Sequence, residues 1–193
     1  MADPAKKIAT YADIEALPPH VTGEIIHGSL VTQPSPAPPH ATAQSALSGE
    51  LISPFQKGRG GPGGWIFMTV PELHMAGHVL VPDIAGWRRE RMPTMPEKAY
   101  IEIAPDWLCE ILSDSTERYD RNQKREIYGA IGVQYLWLLD PRVKLLECFQ
   151  RVANNWLLSA TFSDHASVKA PPFDAIEFDL SDLWPLDDPA SLE

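Results

Sequence analysis

The sequence predicts an α/β or α+β fold with one central mixed β-sheet. Short apolar runs bounded by turn residues outnumber helical patterns, and one helical pattern separates the strands that contain Glu110 and Leu136. The composition, 44% hydrophobic and 22% charged, is that of a globular protein. A length of 193 residues suits one domain, so we expect a single unit over 1–193, with a core at about 10–185 and an acidic C-terminal tail.

In the first half of the chain, residues 13–17 have the pattern of a short helix. Residues 24–31 predict a small hairpin that turns at His27 and Gly28. From His40 to about Phe55 the apolar residues have helical spacing. The four prolines at 34, 36, 38 and 39 mark the break before that helix.

In the second half, strand patterns dominate. The apolar runs at 65–70 and 79–87 predict paired strands, and 107–112 predicts a third. A helix is expected over 117–131, ending near Gly132. The remaining strands are expected at 135–139, 145–150 and 156–161, the last two joined through Asn154 and Asn155.

Charge and apolar content limit the function classes. A formal net charge of -10 counts against non-specific binding of nucleic acid, which depends on a basic surface. No apolar run reaches the roughly 18 residues of a membrane span, and the first residues lack the apolar core of a signal peptide. We therefore expect a cytoplasmic protein without a membrane partner. Cys109 and Cys148 lie in strand-like runs and are expected to be buried free thiols.

Two carboxylates interrupt apolar strands. Asp83 follows Val79-Leu80-Val81-Pro82, and Glu110 lies in the run 107–112. A buried carboxylate is costly unless it is paired, protonated or bound to a metal. Taken alone, each acid could simply point to solvent at a strand edge. Two acids on neighbouring strands would repel each other unless a cation lies between them, and Mg²⁺ commonly binds to such a pair of carboxylates.

Lys124 shares a helical face with the apolar residues Ile127, Tyr128 and Ile131. This spacing directs its ammonium toward the sheet, where it needs a carboxylate or a phosphate. The alternative is a snorkelling lysine whose stem covers apolar surface. With Asp83 and Glu110, an inward lysine makes a set of residues suited to metal-assisted phosphodiester hydrolysis.

Four sequence segments resemble a known pattern. They are Val81-Pro82-Asp83, LCEILSDST at 108–116, DRNQKREIYGAIGVQYLWLLDP at 120–141 and GEIIHGSL at 23–30. Together they resemble the Uma-type restriction endonuclease family of the PD-(D/E)xK nuclease superfamily. The resemblance extends from about Gly23 to Trp184 and implies an α/β restriction-endonuclease-like core, with a mixed central sheet flanked by helices.

The resemblance also implies site residues. Asp83 and Glu110 would hold Mg²⁺ or Mn²⁺, with the backbone carbonyl of Ile111 as a further ligand. The usual motif places a lysine two residues after the glutamate, where this chain has Leu112. In Uma-type proteins the lysine comes from the following helix, and Lys124 matches that position. Glu24 matches an early acid that joins the catalytic set in many nucleases of the superfamily, although it could also be a solvent-facing hairpin residue.

Two further residues keep alternative interpretations. His40 fits the family pattern but could equally cap and pack its helix as touch substrate. Asp120 lies one turn before Lys124 and could simply pair with it. Both alternatives therefore stay open for each of these two residues.

The function that follows is a Mg²⁺-dependent endonuclease that cleaves nucleic acid, most simply DNA. One alternative is a catalytically inactive nuclease-fold protein that binds nucleic acid or protein, which the acidic charge and Leu112 favour. Another is a metal-dependent hydrolase of a small phosphoester. A homodimer is a further expectation, on the assumption that the aromatic side chains of Trp65, Trp87 and Trp184 are exposed.

Overall fold

The computed structural model describes residues 8–184, and the acidic tail expected beyond them lies outside this range. The helical segments are α1 (Tyr11–Glu15), α2 (Pro38–Leu51) with a π-helical turn (Ile52–Gln56), α3 (Glu117–Tyr119) with a π-helical turn (Asp120–Lys124), α4 (Arg125–Ile131) and a 3-10 turn (Leu180–Leu183). The strands are β1 (Thr22–Ile26), β2 (Ser29–Gln33), β3 (Trp65–Thr69), β4 (Leu73–Met75), β5 (His78–Leu80), β6 (Ile84–Arg88), β7 (Trp107–Ile111), β8 (Tyr135–Asp140), β9 (Leu145–Val152), β10 (Asn155–Ser163), β11 (Ser167–Val168) and β12 (Phe178–Asp179).

The largest sheet has six strands in the order β10-β9-β8-β7-β6-β3. Within it β7 and β8 are parallel, and the other neighbours are antiparallel. Parallel neighbours need a long crossover, which here consists of α3, the π-helical turn and α4. The predicted mixed sheet flanked by helices is therefore confirmed.

Side-chain alternation along β7 divides the core into two clusters. Trp107, Cys109 and Ile111 belong to the cluster that also contains residues of α2, such as Leu47. Leu108 belongs to the other cluster, which contains residues of α4. Because successive strand residues point to opposite faces, Glu110 projects toward the α4 side.

A second sheet of four strands has the order β2-β1-β5-β4, and the connection between β5 and β6 joins it to the first. The β1-β2 hairpin turns at His27 and Gly28, as predicted, and both residues have positive φ. β5 pairs with β1 through Ile25 and Val79. This pairing brings the hairpin against the connection between β5 and β6.

Several predicted elements differ in the structure. The strand predicted at 79–87 is wrong as a single element, because it divides into β5 and β6, which belong to different sheets. Pro82 lies between them and lacks the N–H that a continuous ladder requires. The first helix begins at Tyr11 rather than Asp13, because the Asp13 carboxylate accepts a hydrogen bond from the Thr10 N–H at 2.7 Å and so forms the start of the helix.

The expected exposure of three tryptophans is also wrong. Trp65, Trp87 and Trp184 are 1%, 0% and 8% exposed and belong to the core clusters. These buried side chains are not available for a dimer interface, so the expectation of a homodimer no longer has the residues that supported it. Cys109 and Cys148 are buried free thiols, as predicted. Among residues 8–184, no helix combines the length and apolar character needed to cross a membrane.

Candidate metal centre

Glu110 is buried in the middle of the six-stranded sheet. Its side chain is 2% exposed and faces α4. Lys124 Nζ lies 2.8 Å from its Oε1, and the Tyr128 hydroxyl donates a hydrogen bond to the same oxygen at 2.5 Å. The cost of burying this carboxylate is therefore offset by an ammonium and a hydroxyl of the chain itself.

Lys124 is at the centre of a buried acidic cluster. The side chain is 1% exposed, which confirms its predicted inward orientation. Its Nζ lies 3.2 Å from carboxylate oxygens of both Glu24 and Asp120, in addition to the Glu110 contact. The π-helical turn that contains Asp120 and Lys124 places both side chains on the buried side.

The cluster contains three carboxylates and one ammonium, and the pKa values of Glu110, Asp120 and Lys124 depart from their usual values. Burial has the largest effect on Glu110 and raises its pKa well above the usual value, against the opposing effect of Lys124. Burial likewise raises the pKa of Asp120. Burial alone would lower the pKa of Lys124, but Glu110 and Glu24 raise it well above its usual value, so the ammonium stays charged.

Glu24 belongs to this cluster and not to the solvent-facing surface. Its side chain is 0% exposed, so the solvent-facing alternative is wrong. Its Oε1 accepts a hydrogen bond from the Val81 N–H at 2.7 Å, and its Oε2 accepts one from the Gln33 side chain at 2.6 Å. The Val81 bond attaches the hairpin to the segment that leads into Asp83, and the Gln33 bond lies within the hairpin.

Asp83 lies in the connection between β5 and β6, with its side chain 20% exposed. Its Oδ2 accepts a hydrogen bond from the Ile111 N–H at 2.7 Å, and its Oδ1 lies 3.3 Å from His40 Nε2. The Asp83 N–H makes a long contact of 3.4 Å with Glu110 Oε2. The structure thus brings the two predicted strand acids next to each other, although Asp83 itself is not within a strand.

The donor atoms suit a hard divalent cation. One oxygen of each carboxylate, Oδ2 of Asp83 and Oε1 of Glu110, has a strong partner within the protein. The other oxygen of each has only a contact longer than 3.2 Å. Among residues 8–184, no three His, Cys, Asp or Glu side chains form a metal-binding group. The candidate set implied by the resemblance, two carboxylates with the Ile111 carbonyl, offers oxygen donors of the kind that Mg²⁺ prefers.

A cleft of about 190 Å³ gives access to Asp83. It is lined by His40 and Gln44 from α2, by Pro34–Ala37 before it, and by Ser113, Ser115 and Thr116 after β7. Leu112, at the position of the usual motif lysine, is 1% exposed and belongs to the core. The amine of the site thus comes from Lys124.

The sequence interpretation missed two polar contacts of this centre. Tyr128 was assigned only to the apolar face, yet its hydroxyl binds Glu110. Its spacing of four residues from Lys124 could have indicated this. Gln44, whose side chain donates to the Asp83 carbonyl at 2.7 Å, gave no local signal, because the contact joins distant segments.

The mixed sheet, the crossover helix and the lysine-carboxylate centre define a nuclease-like α/β protein. The model of the Uma2 family, described as "Putative restriction endonuclease", matches residues 8–181. The chain belongs to this family.

A solved structure supports the fold. A crystal structure from Anabaena variabilis ATCC 29413, described as a "putative nuclease belonging to DUF820", is similar to this chain with a TM-score of 0.73 and 23% sequence identity. The similarity covers 92% of this chain and 98% of the other. No curated protein matches the chain.

Proposed function

We propose that this protein is a divalent-metal-dependent endonuclease that hydrolyses phosphodiester bonds of DNA. The observation that carries the proposal is the contact of Lys124 with Glu110 next to Asp83, where a cleft opens. Membership in a family described as "Putative restriction endonuclease" supports the same class of reaction.

In this proposal Asp83, Glu110 and the Ile111 carbonyl hold Mg²⁺ or Mn²⁺. When bound, such an ion polarises a phosphate oxygen and lowers the pKa of a water molecule. The chain's own contribution is orientation. The Ile111 N–H fixes one oxygen of Asp83, and Lys124 with Tyr128 fixes one oxygen of Glu110. The second oxygen of each carboxylate is then left for the ion.

Lys124 acts in this proposal as a permanent cation. Its raised pKa keeps it protonated at neutral pH, so it cannot accept a proton from water. Its three carboxylate contacts instead hold Glu110 in position and limit the negative charge that the site presents to a phosphate. Glu24 and Asp120 take part by holding Lys124.

The test is cleavage of supercoiled plasmid DNA with Mg²⁺ or Mn²⁺, with EDTA in a parallel reaction. We expect nicked or linear DNA only when the metal is present. The Asp83→Asn variant should lose at least about 100-fold in rate, because it removes a ligand charge. Asp174→Asn is the matched control, since Asp174 is an exposed aspartate outside the cleft.

Equal cleavage by the parent and Asp83→Asn would overturn the site assignment. Structured RNA in the same assay separates the two nucleic acids, and faster cleavage of RNA would contradict the DNA part of the proposal. A small phosphodiester offered as the sole substrate tests the alternative of a metal-dependent hydrolase that acts on small phosphoesters.

A second candidate is a nuclease-fold protein that binds nucleic acid or protein without cleaving it. The buried Leu112 at the usual lysine position favours it, because the amine then depends on a side chain already engaged by three carboxylates. This candidate predicts DNA retention in a gel-shift assay with no cleavage and no saturable Mn²⁺ binding.

A further inference from the structure

The imidazole ring of His40 contacts the Asp83 carboxylate through its Nε2 atom. His40 is the third residue of α2, its side chain is 13% exposed, and its Nε2 lies 3.3 Å from Asp83 Oδ1. One turn later on the same helix, the Gln44 side chain donates to the Asp83 carbonyl at 2.7 Å. One edge of α2 therefore contacts Asp83 at both its backbone and its carboxylate.

Asp83 needs such contacts because its backbone is in an irregular connection. The residue follows Pro82, lies outside both flanking strands and keeps a partly exposed side chain. The Ile111 N–H fixes only Oδ2. Without a second contact the carboxylate could turn about that bond, and ordering it on ion binding would cost conformational entropy.

The imidazole of His40 is itself largely buried, with its side chain 13% exposed. Its Nδ1 is buried and makes no hydrogen bond within the described residues, so the one polar contact of the ring that the structure shows is from Nε2 to Asp83. The imidazole is thus placed to hold the Asp83 carboxylate.

We infer that His40 is a positioning residue that fixes the free carboxylate oxygen of Asp83 for a divalent ion. The inference rests on the proposed function and adds to it a residue that acts through a ligand. A carboxylate oxygen has two lone pairs, so a bond from the imidazole N–H leaves one for the ion. Residues that hydrogen-bond to a metal ligand orient that ligand and so influence the affinity for the metal.

The test is Mn²⁺ titration of the full chain by calorimetry, which does not depend on activity. His40→Leu removes the N–H donor at similar volume, and His40→Gln keeps one. We expect about 10- to 100-fold weaker binding for His40→Leu and a partial return toward the parent dissociation constant for His40→Gln. A loss of packing alone would not give this difference between the two variants.

Controls separate this inference from the proposed function. His165→Leu changes an exposed histidine and should leave the dissociation constant unchanged. Asp83→Asn should abolish binding. His40→Ala is a second variant without an N–H donor, so the test can still be made if His40→Leu does not fold. Thermal unfolding midpoints identify any variant that is not folded.

Four results would overturn the inference. Parent-like binding by His40→Leu and His40→Ala, with Asp83→Asn inactive in binding, would refute the role of His40 and leave the metal site intact. Tighter binding by those variants would show that His40 competes with the ion. Parent-like binding by Asp83→Asn, or no saturable binding by the parent, would overturn the metal site itself.

Discussion

The ammonium of Lys124 lies 2.8 Å from Oε1 of Glu110, and both side chains are almost completely buried. This contact explains why a carboxylate can occupy the middle of the apolar strand β7. The compensating charge comes from the crossover helix that follows the same strand. Because two further acids also contact the ammonium, neither partner can be removed without leaving buried charge unpaired.

The first prediction concerns Lys124→Met. This variant keeps the length of the side chain but leaves Glu24, Glu110 and Asp120 without their shared cation. We expect the free energy of unfolding to fall by about 3–5 kcal/mol at neutral pH, measured by urea denaturation.

Lys169→Met is the matched control, because Lys169 is exposed, and it should change stability by less than about 0.5 kcal/mol. Adding Glu24→Gln to Lys124→Met should restore part of the loss, since one uncompensated charge is removed. A Lys124→Met variant as stable as the parent would contradict the account of the cluster.

The second prediction concerns Tyr128→Phe. The change removes the hydroxyl that donates to Glu110 while keeping the ring within the core. The loss should be about 1–3 kcal/mol, because a buried acceptor loses one of its partners. Tyr135→Phe, at a half-buried tyrosine of β8, should have little effect. Equal losses in the two variants would mean that the hydroxyl contact contributes nothing.

The third prediction uses pH. Arg142 donates from Nε and Nη2 to Asp140 at 2.8 and 2.6 Å, and from Nη2 to Glu117 at 2.6 Å. Burial would raise the pKa of Asp140, but its bonds with Arg142 lower it, and bonds with Arg142 and Arg121 lower the pKa of Glu117. A lowered folded-state pKa gives stability that is present above the unfolded value and lost as the pH falls through the folded value.

Arg142→Met should therefore cost about 2 kcal/mol at pH 7, from hydrogen bonds to charged groups. The difference from the parent should shrink as the pH falls below the ordinary values of 4.5 for Glu117 and 3.8 for Asp140. Urea denaturation at several pH values measures it, with Arg89→Met at an exposed arginine as the control. A difference that stays constant from pH 7 to pH 3 would refute this linkage.

The fourth prediction compares two glycines. A Cβ at Gly86 of β6 would lie 2.9 Å from Phe67 and 3.2 Å from Trp107, both buried aromatic side chains. Gly86→Ala should thus destabilise by about 1–3 kcal/mol through overpacking. Gly49 is an exposed residue of α2 with no atom near the added Cβ, so Gly49→Ala should stabilise by about 0.5–1 kcal/mol. Thermal unfolding distinguishes the two, and effects of the same sign would contradict the packing argument.

Local patterns were enough to predict much of the fold. The alternation of β7, the helical face of Lys124 and the turn at His27 and Gly28 each depend on residues close in the chain. The structure confirms the burial of Glu110 and the inward direction of Lys124 for this reason. Strands of two or three residues, such as β4 and β11, carry too short a pattern to be recognised.

The sequence by itself therefore determined the mixed sheet, its crossover helix and the inward direction of Lys124, whereas its contact with Glu110 came from the structure. Only the tertiary structure decided the burial of Glu24, the contact of His40 with Asp83, the division of residues 79–87 between two sheets and the packing of the tryptophans. These features depend on how distant strands pair and how helices settle on the sheet. Sequence periodicity specifies the face of an element, but the partner of that face is chosen by long-range packing.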